Sequence, residues 1–173
     1  MEFRELLERR RSVRDFEARP VEPEKVRALL EAADRAPSAG NLQAYRMAVV
    51  TDRDVRRALA EASFGQDFVA RAPVVIVFLA DPDRASGRYG ERGRALYCIQ
   101  DATIACAHAH LRAADLGLGS VWVGAFEERA VARAVGAPPG LRPVALLPVG
   151  YPAEAPPPRP RRGPGELVLR ERT

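Results

Sequence analysis

The sequence predicts an α+β fold. Helical and extended patterns interleave along its 173 residues without the regular strand–helix–strand rhythm of a doubly wound sheet. Residues Val74 to Ala80 form an unbroken, β-branched apolar run, the pattern of a strand buried on both faces. Residues 94–116 carry apolar side chains on almost every helical face, so the helix they form has to be buried all round. The length suits one well-buried core and is short for two. With no internal repeat or dividing linker, residues 1–173 read as a single domain.

Taken in order, Glu2 to Arg10 reads as a short amphipathic helix with Phe3, Leu6 and Leu7 on one face. Arg9, Arg10 and Arg11 lie at its C-terminal end, where the macrodipole is negative. Ser12 to Phe16 breaks the helical pattern and alternates as an extended segment. Pro23, flanked by acids, opens a helix in which Val26, Leu29, Leu30 and Ala33 share one face up to about Arg35. Residues 36–41 (Ala-Pro-Ser-Ala-Gly-Asn) mark a tight loop, and Met47 to Thr51 a short buried strand. Asp52 caps a helix from Arg53 to Ala62. After the strand at 74–80, Asp81-Pro82-Asp83 ends the run, and the Gly-rich stretch 83–93 reads as a loop, either a mobile lid or a plain surface connection.

Gly117-Leu118-Gly119 closes the long helix with a glycine cap. Strands are expected over Ser120–Phe126 and Arg142–Gly150, with a short helix over Glu127–Val135 between them. Tyr151 to Gly165 is rich in Pro and Arg and suits no regular element. Glu166 to Arg170 then reads as an isolated strand at the end of an extended arm, residues 151–173, and such a strand needs an edge to pair with. A second copy of the chain answers both demands: it buries the remaining faces of the 94–116 helix in a symmetric homodimer and receives the arm on its sheet.

Apolar residues at 47% and charged residues at 29% are those of a globular chain. The net charge of +4 is modest for this length, and acids are interspersed throughout. It favours anionic small molecules and does not demand nucleic acid. Cys98 and Cys106 lie eight residues apart on one helix, about 12 Å, beyond the roughly 7 Å that a disulfide allows. They are expected as buried thiols in a reducing cytoplasm. The N-terminal residues lack the apolar stretch of a secretory leader, and no apolar run reaches the length of a membrane span. Neither nucleic acid nor membrane is expected as a partner.

Several chemistries lack their residues. No GxGxxG follows a strand, and there is no P-loop. His108 and His110, two apart on a helix, point about 200° from one another and cannot share a metal, so they read as packing or interface residues and no metal site is expected. No Ser-His-Asp set is apparent. What stands out is residues 10–14: Arg10, Arg11 and Arg14 with the hydroxyl of Ser12, a set that binds phosphate oxygens well. The chain holds 27 Lys and Arg, all but Lys25 being arginine, so a solvated charge run is the competing reading.

Arg10-Arg11-Ser12-Val13-Arg14-Asp15-Phe16, residues 36–43 (APSAGNLQ), residues 117–126 (GLGSVWVGAF) and the basic arm at Arg159-Pro160-Arg161 together resemble the nitroreductase family, in order and spacing along nearly the whole chain. The resemblance implies FMN-dependent homodimers with a central, mostly antiparallel sheet flanked by helices, a long interface helix and an exchanged C-terminal arm. It places Arg10, Ser12, Arg159 and Arg161 on the FMN phosphate with Arg11 beside them, and Arg14 at the N1/O2 edge of the ring. Ser38, Ala39 and Asn41 would come from the partner, with Pro37 shaping the turn and Gln43 near the ribityl chain. The backbone N–H groups of Gly124 and Ala125 would face N5 and O4, and Gln66 the pyrimidine edge. No side chain is then needed as a catalytic acid or base, because the cofactor carries the redox chemistry. NAD(P)H would be the co-substrate, and a nitroaromatic, quinone or flavin the acceptor, in ping-pong order.

Each role has a plainer counterpart: Ser38 capping its turn, Gly124 marking a bulge, Arg159 and Arg161 solvated on the arm, Trp122 filling the core. The family commonly has Gln-Pro-Trp where this chain has Gln43-Ala44-Tyr45, so an altered pocket edge is expected with Tyr45 as its aromatic surface. The family's arm often has Lys at the position of Arg159. The same fold also hosts reductive dehalogenation, enal reduction and oxidative flavin chemistry. From another class, a basic nucleic-acid-binding dimer would use the Arg runs and the Pro/Arg arm; a purely structural dimer is a third reading.

Overall fold

A computed structural model describes residues 2–170. Four strands form one antiparallel sheet in the order β1-β2-β4-β3: β1 (Tyr45–Val50), β2 (Val74–Ala80), β3 (Gly119–Ser120) and β4 (Arg142–Gly150). Pairing runs from Tyr45 opposite Ala80 to Val50 opposite Val75, and from Val74 opposite Val149 to Ala80 opposite Arg142, with a register shift at Phe78/Leu79. All seven residues of β2 are buried. Alternate side chains of a strand point to opposite faces. Val74, Ile76 and Phe78 therefore join one core and Val75, Val77 and Leu79 the other.

The first core is closed by α2 (Pro23–Asp34) and α6 (Cys98–Asp115), through Leu29, Ala33, Ala102, Ala105, Cys106, Ala109 and Ala113. The second is closed by α3 (Arg53–Ala62), α4 (Asp67–Arg71) and α7 (Glu128–Ala134), through Leu59, Ala62, Val69 and Val131. Helices on both faces explain why β2 reads as a continuous apolar run. The small residues of α6 allow its close approach to the sheet. Its other apolar side chains, including Ile99, Ile104 and Leu111, remain half-buried in this chain. Cys98 and Cys106 are free, buried thiols, as expected, and desolvation pushes both thiols up.

Local signals are realised where they are self-contained. The Asp52 carboxylate accepts the N–H groups of Asp54 and Val55 at the start of α3, both at 2.9 Å. Gly117 takes φ +74° after α6, and the Leu118 N–H returns to the Ala113 carbonyl at 2.8 Å. The short helix α1 spans Phe3–Arg9.

Three expectations are corrected. Residues 83–93 are not a loop: α5 spans Pro82–Arg92, followed by a wide helical turn over Gly93–Tyr97. The Asp81 side chain accepts the Arg84 N–H at 3.0 Å and Pro82 occupies the first turn, so the Asp-Pro pair that ends β2 also starts a helix. The expected strand 120–126 is reduced to Gly119–Ser120 plus one bridge between Val123 and Leu146. The expected strand 166–170 is absent. Pro164–Leu167 forms one helical turn (α8), Leu169 is fully exposed, and residues 166–170 pair with no strand of the sheet. The arm's last residues, 171–173, lie outside the described residues, as does Met1. The single helical turn α4 had no counterpart in the sequence reading.

Asp81→Ala should remove the α5 cap and lower unfolding free energy by about 1 kcal/mol. Urea denaturation checks this, and unchanged stability would mean that the Asp81 cap contributes nothing to α5.

Candidate functional site

Beyond α1 the backbone straightens, and residues 12–17 lie alongside β3 and the start of the arm. The Val13 N–H donates to the Ser120 carbonyl at 3.1 Å and the Glu17 N–H to the Tyr151 carbonyl at 2.9 Å. Val13 and Phe16 are buried, which leaves Arg14 outward. A Cβ at Gly119 would sit 2.7 Å from Val13 Cγ1, so this docking requires glycine. The Glu154 carboxylate accepts the N–H groups of Arg14 and Asp15 at 2.6 and 3.1 Å, tying the arm to the same segment.

These pieces enclose an open cavity of about 440 Å³ lined by Arg10, Arg11, Gly119, Ser120, Glu154 and Pro156, among others. Arg10 Nη1 lies 3.1 Å from His110 Nε2, and His110 Nδ1 lies 2.7 Å from Ser120 Oγ. His110, expected as a packing or interface residue, is buried and also joins Arg10 to Ser120, two residues that line the cavity. Burial holds the Arg10 guanidinium below its usual range, and the charges of Arg161 and Arg11 push it further the same way. The charge of the arm is thus felt at Arg10, from the opposite end of the chain. Arg10, Arg11, Arg14, Arg159 and Arg161 form no ion pair with a carboxylate among the described residues. Like charges repel, and more strongly where burial excludes water. An anion relieves that cost. Arg159 stands exposed on the arm, while Ser12 bridges to Ser120.

A second group surrounds Arg14, whose guanidinium lies 5.8 Å from the centre of the Phe68 ring. The Gln66 amide donates to the Ser63 carbonyl at 2.9 Å and to the Ala125 carbonyl at 3.2 Å. Gly124 and Ala125 are exposed. The fold thus brings Gln66 and Ala125 together across 59 positions of sequence.

The third group, Pro37 to Gln43, sits elsewhere. The buried Asp101 carboxylate of α6 accepts the Ala39 N–H at 2.9 Å and the Ala44 N–H at 3.3 Å. Ser38 Oγ accepts the Gln43 N–H at 3.0 Å, so its turn-capping role is present. Asn41 and Gln43 take left-handed φ of 55° and 49°. The Gln43 side chain donates to Asp34 Oδ1 at 3.0 Å. Tyr45, expected as an aromatic surface, is instead buried with its hydroxyl donating to the Ala33 carbonyl at 2.9 Å. Pro37, Ser38 and Ala39 line an open cavity of about 470 Å³ with Gln100 and Ile104. Asp101 and His110 are nine residues apart on α6, about 14 Å of helix rise. One chain therefore does not bring the 37–43 loop to Arg10.

Ser120, Asp101 and Glu154 were given no role by the sequence, and His110 only one in packing or an interface. Asp101, a lone acid within the apolar pattern of α6, carried a usable signal. The contacts of His110 and Glu154 did not, since their partners are 100 and 140 residues away. Among the described residues, no group of three or more His, Cys, Asp or Glu could hold a metal ion, and no helix is long and apolar enough to cross a membrane.

The fold and this cavity define an α+β protein with a helix-covered antiparallel sheet and a basic, anion-receptive pocket at one end of its central helix. The sequence model described as the nitroreductase family matches residues 7–66 and 60–151. A Thermus thermophilus protein named NADH dehydrogenase is 35% identical over 173 aligned residues, covering 84% of each chain. The FMN reductase [NAD(P)H] of Bacillus subtilis is 30% identical, covering 94% of this chain and 70% of its own. Among solved structures, the NADPH:FMN oxidoreductase from Vibrio harveyi complexed with NAD+ superposes with a TM-score of 0.88 at 26% identity, covering 98% of this chain and 76% of that one. The chain belongs to the nitroreductase family.

Asp101→Ala should leave two N–H groups of the 37–44 segment without their acceptor and lower stability by about 2–3 kcal/mol. Chemical denaturation measures this. A loss below about 0.5 kcal/mol would mean that the loop does not depend on Asp101.

Proposed function

We propose that the protein is an FMN-dependent NAD(P)H oxidoreductase that works as a homodimer. The observation that carries this reading is that Arg10 and Arg11, neither in an ion pair with a carboxylate among the described residues, line a cavity that also presents Ser120, while the charge of Arg161 from the arm acts on Arg10. Such a cluster fits a dianionic phosphate. Arg10, Ser12, Arg159 and Arg161 would hold the FMN phosphate, with Arg11 beside them. Arg14 would place a fixed positive charge at the N1/O2 edge of the ring, where charge builds on reduction. The exposed backbone of Gly124 and Ala125 would face N5 and O4, and Gln66, already against Ala125, the pyrimidine edge. When bound, FMN supplies the redox chemistry, taking electrons from NAD(P)H and giving them to a nitroaromatic, quinone or flavin acceptor in turn.

A second copy completes the site. Ser38, Ala39 and Asn41, shaped by Pro37 and anchored by Asp101, lie too far along α6 to reach the basic cavity of their own chain. Antiparallel apposition of two α6 helices brings each loop to the other chain's cavity. Gln43 would contribute through its backbone, its side chain being engaged by Asp34. Unpartnered apolar surface supports the same arrangement: Phe3 and Leu7 on α1 are 65% and 51% exposed, and Leu167, Val168 and Leu169 of the arm are exposed. The ion pairs Arg4–Glu8 and Arg9–Glu5 on α1 are worth about 0.3–0.5 kcal/mol each, too little to hold a short helix that buries nothing. The arm, residues 151–173, would pack on the partner as part of one domain, and the two reduced thiols suit the cytoplasm.

The purified protein should be yellow or bind added FMN stoichiometrically, and NAD(P)H should bleach its flavin absorbance. A colourless protein that takes up no FMN refutes the reading. Arg14→Ala should weaken FMN binding about tenfold, roughly 1.4 kcal/mol, and slow flavin reduction in stopped-flow measurements. Wild-type values for both quantities would remove Arg14 from the ring edge. Truncation after Tyr151 should shift the sedimentation profile towards monomer; an unchanged profile would exclude the exchanged arm.

A further inference from the structure

We propose that His110 is a positioning residue for the phosphate site, accepting a hydrogen bond from Arg10 through Nε2 and donating one to Ser120 through Nδ1. The inference rests on the proposed reading of the basic cavity as an FMN phosphate site.

The assignment follows from which groups can donate. A guanidinium carries N–H donors and no acceptor. The 3.1 Å contact from Arg10 Nη1 to His110 Nε2 therefore requires Nε2 to be unprotonated. A neutral ring then carries its proton on Nδ1, and at 2.7 Å that N–H donates to Ser120 Oγ. Ser120 is buried and lines the cavity, and its own hydroxyl proton has no acceptor among the described residues. The chain of bonds is thus directed: Arg10 is fixed by the ring, the ring fixes the Ser120 oxygen, and the Ser120 O–H remains to be given to an anion. The other N–H groups of Arg10 are equally free.

A neutral acceptor suits this place for an electrostatic reason. A carboxylate at position 110 would hold Arg10 at least as firmly, but it would cancel the charge and compete with the phosphate. Imidazole orients the guanidinium and leaves its charge available. Burial, and next the charge of Arg10, push the imidazole down to about 4, so it stays neutral at physiological pH.

FMN and riboflavin differ only by the phosphate, and their dissociation constants, measured by fluorescence titration, separate a role at the phosphate from general packing. His110→Phe removes the acceptor and should raise the Kd for FMN about tenfold while changing that for riboflavin less than twofold. His110→Gln, whose amide oxygen can accept from Arg10, should recover most of the difference. Equal losses for both flavins, or an unchanged FMN-to-riboflavin ratio in His110→Phe, would overturn the assignment. If the wild-type protein does not prefer FMN to riboflavin, the phosphate reading of the cavity fails instead. Should His110→Phe not fold, nitrogen NMR of the 15N-histidine-labelled wild-type protein decides. Neutral His110 with its proton on Nδ1 is expected, and a proton on Nε2 would rule the relay out.

Discussion

Strand β2 sets the terms for everything around it. Its seven residues are buried on both faces, so helices must cover each side of an antiparallel sheet that otherwise could leave one side to water. One cover is α6, laid across the sheet on an alanine-rich face that lets it approach closely. Once α6 is fixed, its two ends are fixed too. The loop at 37–44 hangs from Asp101 near one end, and the basic cavity forms around His110 near the other.

The basic cavity is assembled against electrostatics. Arg10 and Arg11 follow α1, the charge of Arg161 reaches Arg10 from the far end of the chain, and none of the three forms an ion pair with a carboxylate among the described residues, though Glu8 and Glu154 also line the cavity. Backbone hydrogen bonds hold the frame instead, from Val13 to Ser120 and from Arg14 and Asp15 to Glu154. Glu154 accepts from main-chain N–H groups, so its charge joins the strand to the arm rather than quenching a guanidinium. A framework built this way can tolerate clustered positive charge until an anion arrives, which is the property a phosphate site requires.

The other half of the proposed site is built on different physics. Ser38, Ala39 and Asn41 are held by a buried carboxylate and a left-handed turn, with no cluster of charge. Their distance along α6 from Arg10 makes the single chain incomplete for a ligand as long as a mononucleotide. The exposed apolar residues of α1 and the arm describe a chain whose hydrophobic surface is likewise unfinished.

Much of this was legible in the sequence. The apolar run at 74–80, the acidic cap at Asp52, the glycine after α6 and the proline opening α2 were read as they fold, because each depends on residues a few positions apart. The family motifs also marked the segments that carry the proposed site. Reading failed where one signal serves two outcomes. Asp81-Pro82 can close a strand or open a helix, and here it does both. Val168 and Leu169 can be a strand only when paired with an edge, and here they pair with none. Tyr45 looked like pocket surface because its burial against Ala33 depends on how α2 meets β1. By itself, then, the sequence determined the fold class, the central strand, the helices over 23–34, 53–62 and 98–115, and the family. Only the tertiary structure decided that His110 should face Arg10 and that Glu154 should bind the N–H groups of Arg14 and Asp15. Those meetings join residues a hundred or more positions apart, and they are settled by how helices pack on a sheet, not by any local preference of the chain.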